Sequence, residues 1–235
     1  THPTPTLDTL PYDLRASIRN FLSDYLGSPD RPVPFGGRAG DLRRLESWRE
    51  SAGEQRLLLA APGGTGKSAL LARWADALSR PPSDAATAVV FVPISSRYGT
   101  NRDDLVLPAI AVQLAQLLGE ELPANWGNMA PGFWQNLIGR YLQRPLPDGR
   151  RLLLIVDGLD EAAWEIGPGL FPHELPPTTR VVVSARYLAA DEAGPAAWLA
   201  RLGWERPGMA AAVSLQTLTR AGVGEAVAGM GQPLN

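Results

Sequence analysis

A chain of 235 residues with 45% hydrophobic and 20% charged side chains holds enough apolar material for one large folded domain, which excludes disorder as a description of the whole. A net charge of −2 advertises neither nucleic acid nor an anionic membrane surface, and the strongest apolar runs, Leu57–Ala61 and Leu152–Val156, are far too short to span a bilayer. With no cysteine, disulfides, iron–sulfur clusters, thiolate zinc sites and cysteine nucleophiles are excluded together.

Apolar spacing over Leu7–Leu26 (Leu14, Ile18, Phe21, Leu22, Tyr25) predicts a helix, and the Pro-rich SPDRPVP after it predicts an extended linker. Asp41–Trp48 reads as a short amphipathic helix, Gln55–Ala60 as a buried strand, and Ser68–Leu78 as a helix carrying Leu70, Leu71, Trp74 and Leu78. Strands are expected at Thr87–Val92, Arg150–Val156, Arg180–Ser184 and Ala211–Leu215. Helices are expected at Asp103–Leu118, Gly132–Leu142, Pro195–Leu202 and from Thr219 onward. Strands without alternation, separated by helices, imply a parallel sheet covered on both faces, an α/β three-layer domain.

The basic residues are 21 arginines and a single lysine, Lys67. Lys67 lies in Ala61-Pro62-Gly63-Gly64-Thr65-Gly66-Lys67-Ser68-Ala69, between a predicted strand and a predicted helix. This matches the nucleotide-binding P-loop, with Ala61 at its first glycine. Glycines let the backbone turn its N–H groups inward onto phosphate oxygens, and the helix that follows presents its positive end to the same anion. Lys67 is assigned to the β- and γ-phosphates and the Ser68 hydroxyl to Mg²⁺.

Leu152–Glu161 (LLLIVDGLDE) is an apolar strand that runs into acids, which places Asp157 at the sheet edge where ligands bind. Asp157 suits the Mg²⁺ shell, and Asp160 or Glu161 can orient an attacking water. Spacing does not decide between the last two, and the longer reach of Glu161 favours it. The strand RVVVSAR brings Arg186 to the same edge, where it can sense a γ-phosphate; an ordinary exposed arginine is the plain alternative.

These motifs in this order resemble a STAND-type P-loop ATPase, most closely a NACHT-like domain, through DGLDE at Asp157–Glu161 and the later strand ending in SAR. Upstream, Pro34-Phe-Gly-Gly-Arg38 followed by Asp41, Leu42 and Leu45 is similar to the family's hydrophobic-x-Gly-Arg motif. The resemblance implies that Phe35, Gly36, Gly37 and Arg38 lie beside an adenine. It also implies a five-stranded parallel sheet of order 5-1-4-3-2. The expected division is an N-terminal helix and linker over 1–34, the nucleotide domain over 35–216, and the start of a helical lid over 217–235. Guanine specificity would need an Asn-Lys-x-Asp motif, and the only lysine is already in the phosphate loop, so the expected ligands are ATP or ADP with Mg²⁺.

The function so implied is a regulatory switch: ADP holds it closed, ATP drives homo-oligomerisation, and slow hydrolysis resets it, a logic used in signalling that includes bacterial immunity. Effector and sensor domains of a longer chain are the implied partners. The alternatives are a fast AAA-like ATPase and a nucleotide-binding scaffold that has lost hydrolysis; Lys67, Ser68, Asp157 and the nearby acids argue against the latter. Nucleic acid is disfavoured by charge, with Arg43-Arg44 and Arg150-Arg151 read as surface pairs, and no membrane contact is expected. His2 and His173 have no metal-ligand spacing and receive no role. The start THPTPT has neither the basic nor the apolar part of a secretory signal and no initiator Met, so a piece of a longer, cytoplasmic protein is expected. Trp164, just after the acids, is the expected reporter of nucleotide by fluorescence.

Overall fold

Strands that are apolar along their whole length are stable only where both sheet faces are covered. That is the arrangement in the computed structural model, which describes residues 12–28, 30–80, 86–122, 129–187 and 194–228. Five strands, β1 (Arg56–Ala61), β2 (Thr87–Pro93), β3 (Arg151–Asp157), β4 (Thr179–Arg186) and β5 (Ala210–Ser214), pair in parallel in the order β2-β3-β4-β1-β5. Read from the opposite edge this is 5-1-4-3-2, the order that the resemblance implies.

Alternate residues of each strand face opposite layers. Leu57 and Leu59 of β1 join Leu153, Ile155 and Val182 beneath α1 (Tyr12–Leu26), α2 (Ala39–Glu50) and α3 (Lys67–Ser79). Leu58 and Ala60 join Leu154, Val156, Val181 and Val183 beneath α4 (Asp103–Leu118), α5 (Pro131–Leu142) and α6 (Pro195–Leu202). Leu57, Leu58 and Leu59 are fully buried, each worth about 1.5–3 kcal/mol relative to exposure, so β1 is the anchor of both layers. Local chemistry sets the element ends. Pro131 and Pro195 occupy first helical turns, where a missing N–H costs nothing, and Gly119 and Gly203 close α4 and α6 in left-handed conformations.

Beyond shifts of a residue or two at element ends, one detail differs from the sequence reading. The Pro-rich stretch after α1 forms a two-residue antiparallel ribbon, Gly27↔Pro32 and Ser28↔Arg31. β4 runs to Arg186, paired with β1 to its end, as the reading of RVVVSAR as one strand implies. The expected helix from Leu7 begins at Tyr12 among the described residues; Leu7–Pro11, His2 and residues 229–235 lie outside them.

Sheet register places the candidate chemistry. Ala61 lies opposite Arg186, and Pro93 opposite Asp157, so the ends of β1, β2, β3 and β4 meet at one edge. The last helix, α7 (Arg220–Ala228), returns to this edge from β5, with Thr219 Oγ1 accepting from the Gly222 N–H at its start. Among the described residues no helix is long and apolar enough to cross a membrane.

Candidate nucleotide site

The loop between β1 and α3 is shaped by glycine where the backbone demands it. Gly64 (φ 75°) and Gly66 (φ 89°) are left-handed, and Gly66 caps α3, so the helix opens directly onto the loop. Gly63 lies outside the left-handed region: an added Cβ would sit 3.7 Å from Arg186 Cδ, an ordinary contact. The left-handed conformation that glycine permits is therefore used at Gly64 and Gly66 and not at Gly63. Thr65 Oγ1 donates to Pro62 O at 3.0 Å, closing the turn on itself.

Lys67 is buried and donates from Nζ to Ala61 O (2.8 Å) and Pro62 O (3.0 Å). Burial lowers its pKa, while Asp160 and Asp157 oppose that shift and Arg186 adds to it. Asp157 is buried to 1% exposure, and desolvation pushes its carboxyl up against hydrogen bonds from Ser184 and Ser68 and the charge of Lys67. A buried carboxylate at the start of the P-loop helix, beside a serine hydroxyl, is a fitting donor pair for a hard divalent cation. Ser68 and Asp157 are thus the residues that would hold Mg²⁺.

Beyond Asp157 the chain reverses at Gly158 (φ 85°), where a side chain would strike the Ile94 carbonyl, and enters a single 3₁₀ turn, Leu159–Glu161. This turn presents both remaining acids to Arg186. Asp160 accepts from the Arg186 backbone N–H (2.8 Å) and faces its Nε at 3.1 Å, while Glu161 Oε1 pairs with its Nη2. Glu161 Oε2 accepts three hydrogen bonds from the segment after β2: Ser95 Oγ (3.1 Å), Ser96 N–H (3.0 Å) and Ser96 Oγ (3.2 Å). Arg186 itself stays half exposed beside Gly63.

Two cavities flank the phosphate loop. One, of about 260 Å³, lies between Phe35 and Gly36 on one side and Leu218 and Ala226 on the other, over a floor of Gly64–Gly66 and Ala69. Arg73 covers Phe35 with its guanidinium 5.5 Å from the ring centre. Gly36 and Gly37 touch α7 backbone to backbone: a Cβ on Gly36 would lie 2.5 Å from Ala226 N, and one on Gly37 2.5 Å from Gly222 Cα. The Gly37 N–H also donates to Glu225 Oε2 at 2.8 Å. Arg38 is buried, and its guanidinium bonds protein groups: Thr65 O (2.5 Å), Gln216 O (2.8 Å) and Asp41 Oδ2 (3.1 Å). It borders the small cavity and clasps its walls together. The second cavity, about 840 Å³, opens beyond the acids and is bordered by Asp160, Trp164, Arg186 and Trp198.

All the residues singled out in the sequence therefore lie along one edge: Phe35–Arg38 and Ala69 at the small cavity, Pro62–Ser68 in the loop, Asp157, Asp160, Glu161 and Arg186 beyond it. The sequence reading did not single out Ser95, Ser96, Thr217, Leu218 or Ala226. Two hydroxyls just past the end of β2 were the available signal for the serines; the other three are placed by the return of α7.

The NACHT domain family matches residues 55–219, well over half of the chain. No curated protein sequence matches it. Among solved structures, the Drosophila ORC bound to DNA is similar over 99% of this chain and 54% of that one, with 14% identity and a TM-score of 0.53. The Aeropyrum pernix ORC1 protein in complex with DNA is similar over 88% and 52%, with 17% identity and a TM-score of 0.50. The chain thus spans about half the length of these structures, and at such identities the likeness concerns the fold alone. Motif, sheet order and family match agree: the chain belongs to the NACHT domain family of P-loop NTPases.

Proposed function

We propose that this chain is the Mg²⁺-dependent ATP/ADP switch of a STAND signalling protein, with slow hydrolysis, ATP-driven homo-oligomerisation and a role such as bacterial immunity. The observation that carries the reading is the convergence of Lys67, Ser68, Asp157, Asp160, Glu161 and Arg186 at one sheet edge, beside a small cavity walled by Phe35 and Gly36.

In this reading the Phe35 side of the small cavity takes the adenine, and the N–H groups of residues 63–69 take the phosphates. Lys67 exchanges its loop carbonyls for the β- and γ-phosphates, and Mg²⁺ bound at Ser68 and Asp157 would neutralise charge on the transferred phosphoryl group. Arg186 moves part of its hydrogen bonding from the acids to the γ-phosphate. That exchange frees Glu161, or Asp160, to orient water and accept its proton. Both acids are paired with Arg186 beforehand, and the need to break that pairing supports slow rather than rapid turnover. We read residues 35–216 as the nucleotide domain after an N-terminal helix and linker over 1–34. Residues 217–235 are read as the start of a lid whose contact with Gly36 and Gly37 would sense the base. Effector and sensor domains would complete the switch, in the cytoplasm. The DNA in the two ORC structures is a partner of those proteins, and the net charge of −2 supports nucleotide rather than nucleic acid here.

The test is to denature the purified protein, identify the nucleotide it releases, and measure turnover of added ATP. Retained ADP with turnover below about one per minute, against typical enzyme values near ten per second, supports the switch. An empty site with brisk turnover overturns it in favour of a working AAA-like ATPase.

A further inference from the structure

We propose that α1 governs the catalytic acid at a distance: Asp24 and Tyr98 are positioning residues that hold Glu161 in place through the loop spanning residues 94–101. The inference rests on the reading of Glu161 as a water-orienting acid and adds the element that fixes it.

The chain of contacts is continuous. Asp24, near the end of α1, accepts from the Tyr98 hydroxyl and pairs with Arg97 at 2.9 Å. The Tyr98 ring stands edge-on to Phe21, centroids 5.3 Å apart, and buried Phe21 also lies 5.9 Å from Phe91 on β2. Burial and the bond to Asp24 push the Tyr98 phenol up to about 12, so it remains a donor throughout the physiological range.

From Tyr98 the loop behaves as one closed unit. The Ser95 N–H donates to Thr100 Oγ1 (3.0 Å), the Thr100 N–H returns to Ser95 O (2.9 Å), and the Gly99 N–H reaches Ser96 O (3.3 Å) around a left-handed glycine. Its two ends are pinned to the active edge, with the Ile94 N–H on Asp157 O (2.7 Å) and the Ala163 N–H on Asn101 O (2.8 Å). A loop so closed transmits a shift at Tyr98 to Ser95 and Ser96, whose three donors fix Glu161 Oε2. The opposing pull on Glu161 is Arg186 at Oε1. Loosening α1 weakens the serine side of this balance and leaves the acid to Arg186, the pairing that must open for water to be activated. α1 therefore gives movement at the surface a route to the reaction that bypasses the base and the phosphates.

Tyr98→Phe keeps the ring and removes only the hydroxyl. The experiment measures single-turnover ATP hydrolysis and calorimetric ATP affinity for Tyr98→Phe, for Ser95→Ala with Ser96→Ala, and for the triple variant. The expected result is a fall of about fivefold in the hydrolysis step for Tyr98→Phe, about 1 kcal/mol, the net value of one hydrogen bond. Affinity stays unchanged, and the further effect of Tyr98→Phe falls well below fivefold once both serine hydroxyls are gone, because only the Ser96 backbone N–H then holds Glu161 Oε2. Asp24→Ala, at a half-exposed position where folding is not at stake, reproduces the fall. An unchanged rate in Tyr98→Phe and Asp24→Ala overturns the proposal, and so does a fivefold loss that persists in the serine-free background. Glu161→Gln is the separate control: undiminished hydrolysis there removes the underlying assignment of the acid, whatever Tyr98 does.

Discussion

Arg38 offers the sharpest separation between a residue that touches ligand and one that builds the site. Its guanidinium bonds the carbonyl of Thr65 inside the phosphate loop and that of Gln216 in the segment leading to α7. Arg38→Ala removes both bonds from a side chain only 6% exposed, and the third, to Asp41, matters less because Asp41 keeps Arg44 at 3.9 Å. Two charge-assisted bonds at about 1.5 kcal/mol each give a loss of about 3 kcal/mol. For a domain of this size that corresponds to a fall in Tm of about 6–12 °C. Nucleotide affinity should fall with it by about tenfold, because Thr65 loses the group that fixes its peptide. Arg38→Lys should recover less than half of the stability, since one ammonium cannot span carbonyls on opposite walls. Thermal unfolding followed by circular dichroism, with calorimetric titration of ADP, reads both quantities. Lost affinity with an unchanged Tm would refute the reasoning, for it would mean that Arg38 binds the nucleotide itself.

Three further outcomes follow from the same geometry. Gly36→Ala should push α7 away from the small cavity, because the new methyl group meets only backbone at 2.5–3.0 Å; about 1–3 kcal/mol of destabilisation and faster ADP release are expected, and a release rate equal to wild type would show that α7 does not close the cavity. Asp157→Ala should weaken Mg²⁺-dependent ATP binding by more than tenfold and Mg²⁺-free binding far less, as titrations with and without chelator would show; equal losses in both would point to a folding defect instead. Trp164 borders the larger cavity with Asp160 and Arg186, so its emission should change as ATP replaces ADP, and the change should vanish in Trp164→Phe.

Four strands of the sheet, β1 to β4, were legible because they are buried on both faces and so read as unbroken apolar runs, from Leu57–Ala60 to Val181–Val183; β5, at the sheet edge, is only partly buried and was read from the shorter apolar run Ala211–Leu215. The phosphate loop was legible because its chemistry is contiguous: glycine, lysine and serine must be neighbours to surround a phosphate. Asp157 and Arg186 were legible as strand ends, since a parallel sheet gathers such ends at one edge. What escaped is non-local. Nothing near Ser95 and Ser96 in the sequence says that β2 will end beside β3 and bring them to Glu161, sixty-odd residues onward. Arg38 carried the right motif, but its bonds to Thr65 and Gln216 depend on three segments meeting, which spacing along the chain cannot express. The ribbon at Gly27↔Pro32 was hidden by prolines that suggest plain extended chain.

The central place of β1 also has a consequence for how the protein is made. Both neighbours of this strand, β4 and β5, are translated more than a hundred residues after it, as the registers Arg56↔Val181 and Arg56↔Ala210 show. During synthesis the lysine loop therefore leaves the ribosome on a strand with no partner, its leucines exposed until most of the domain has followed. A nucleotide that binds the finished loop cannot stabilise the nascent chain until that late pairing is complete. A message broken before the codon for Thr179 would yield a polypeptide that carries every residue of the phosphate loop and still has no scaffold on which to hold it.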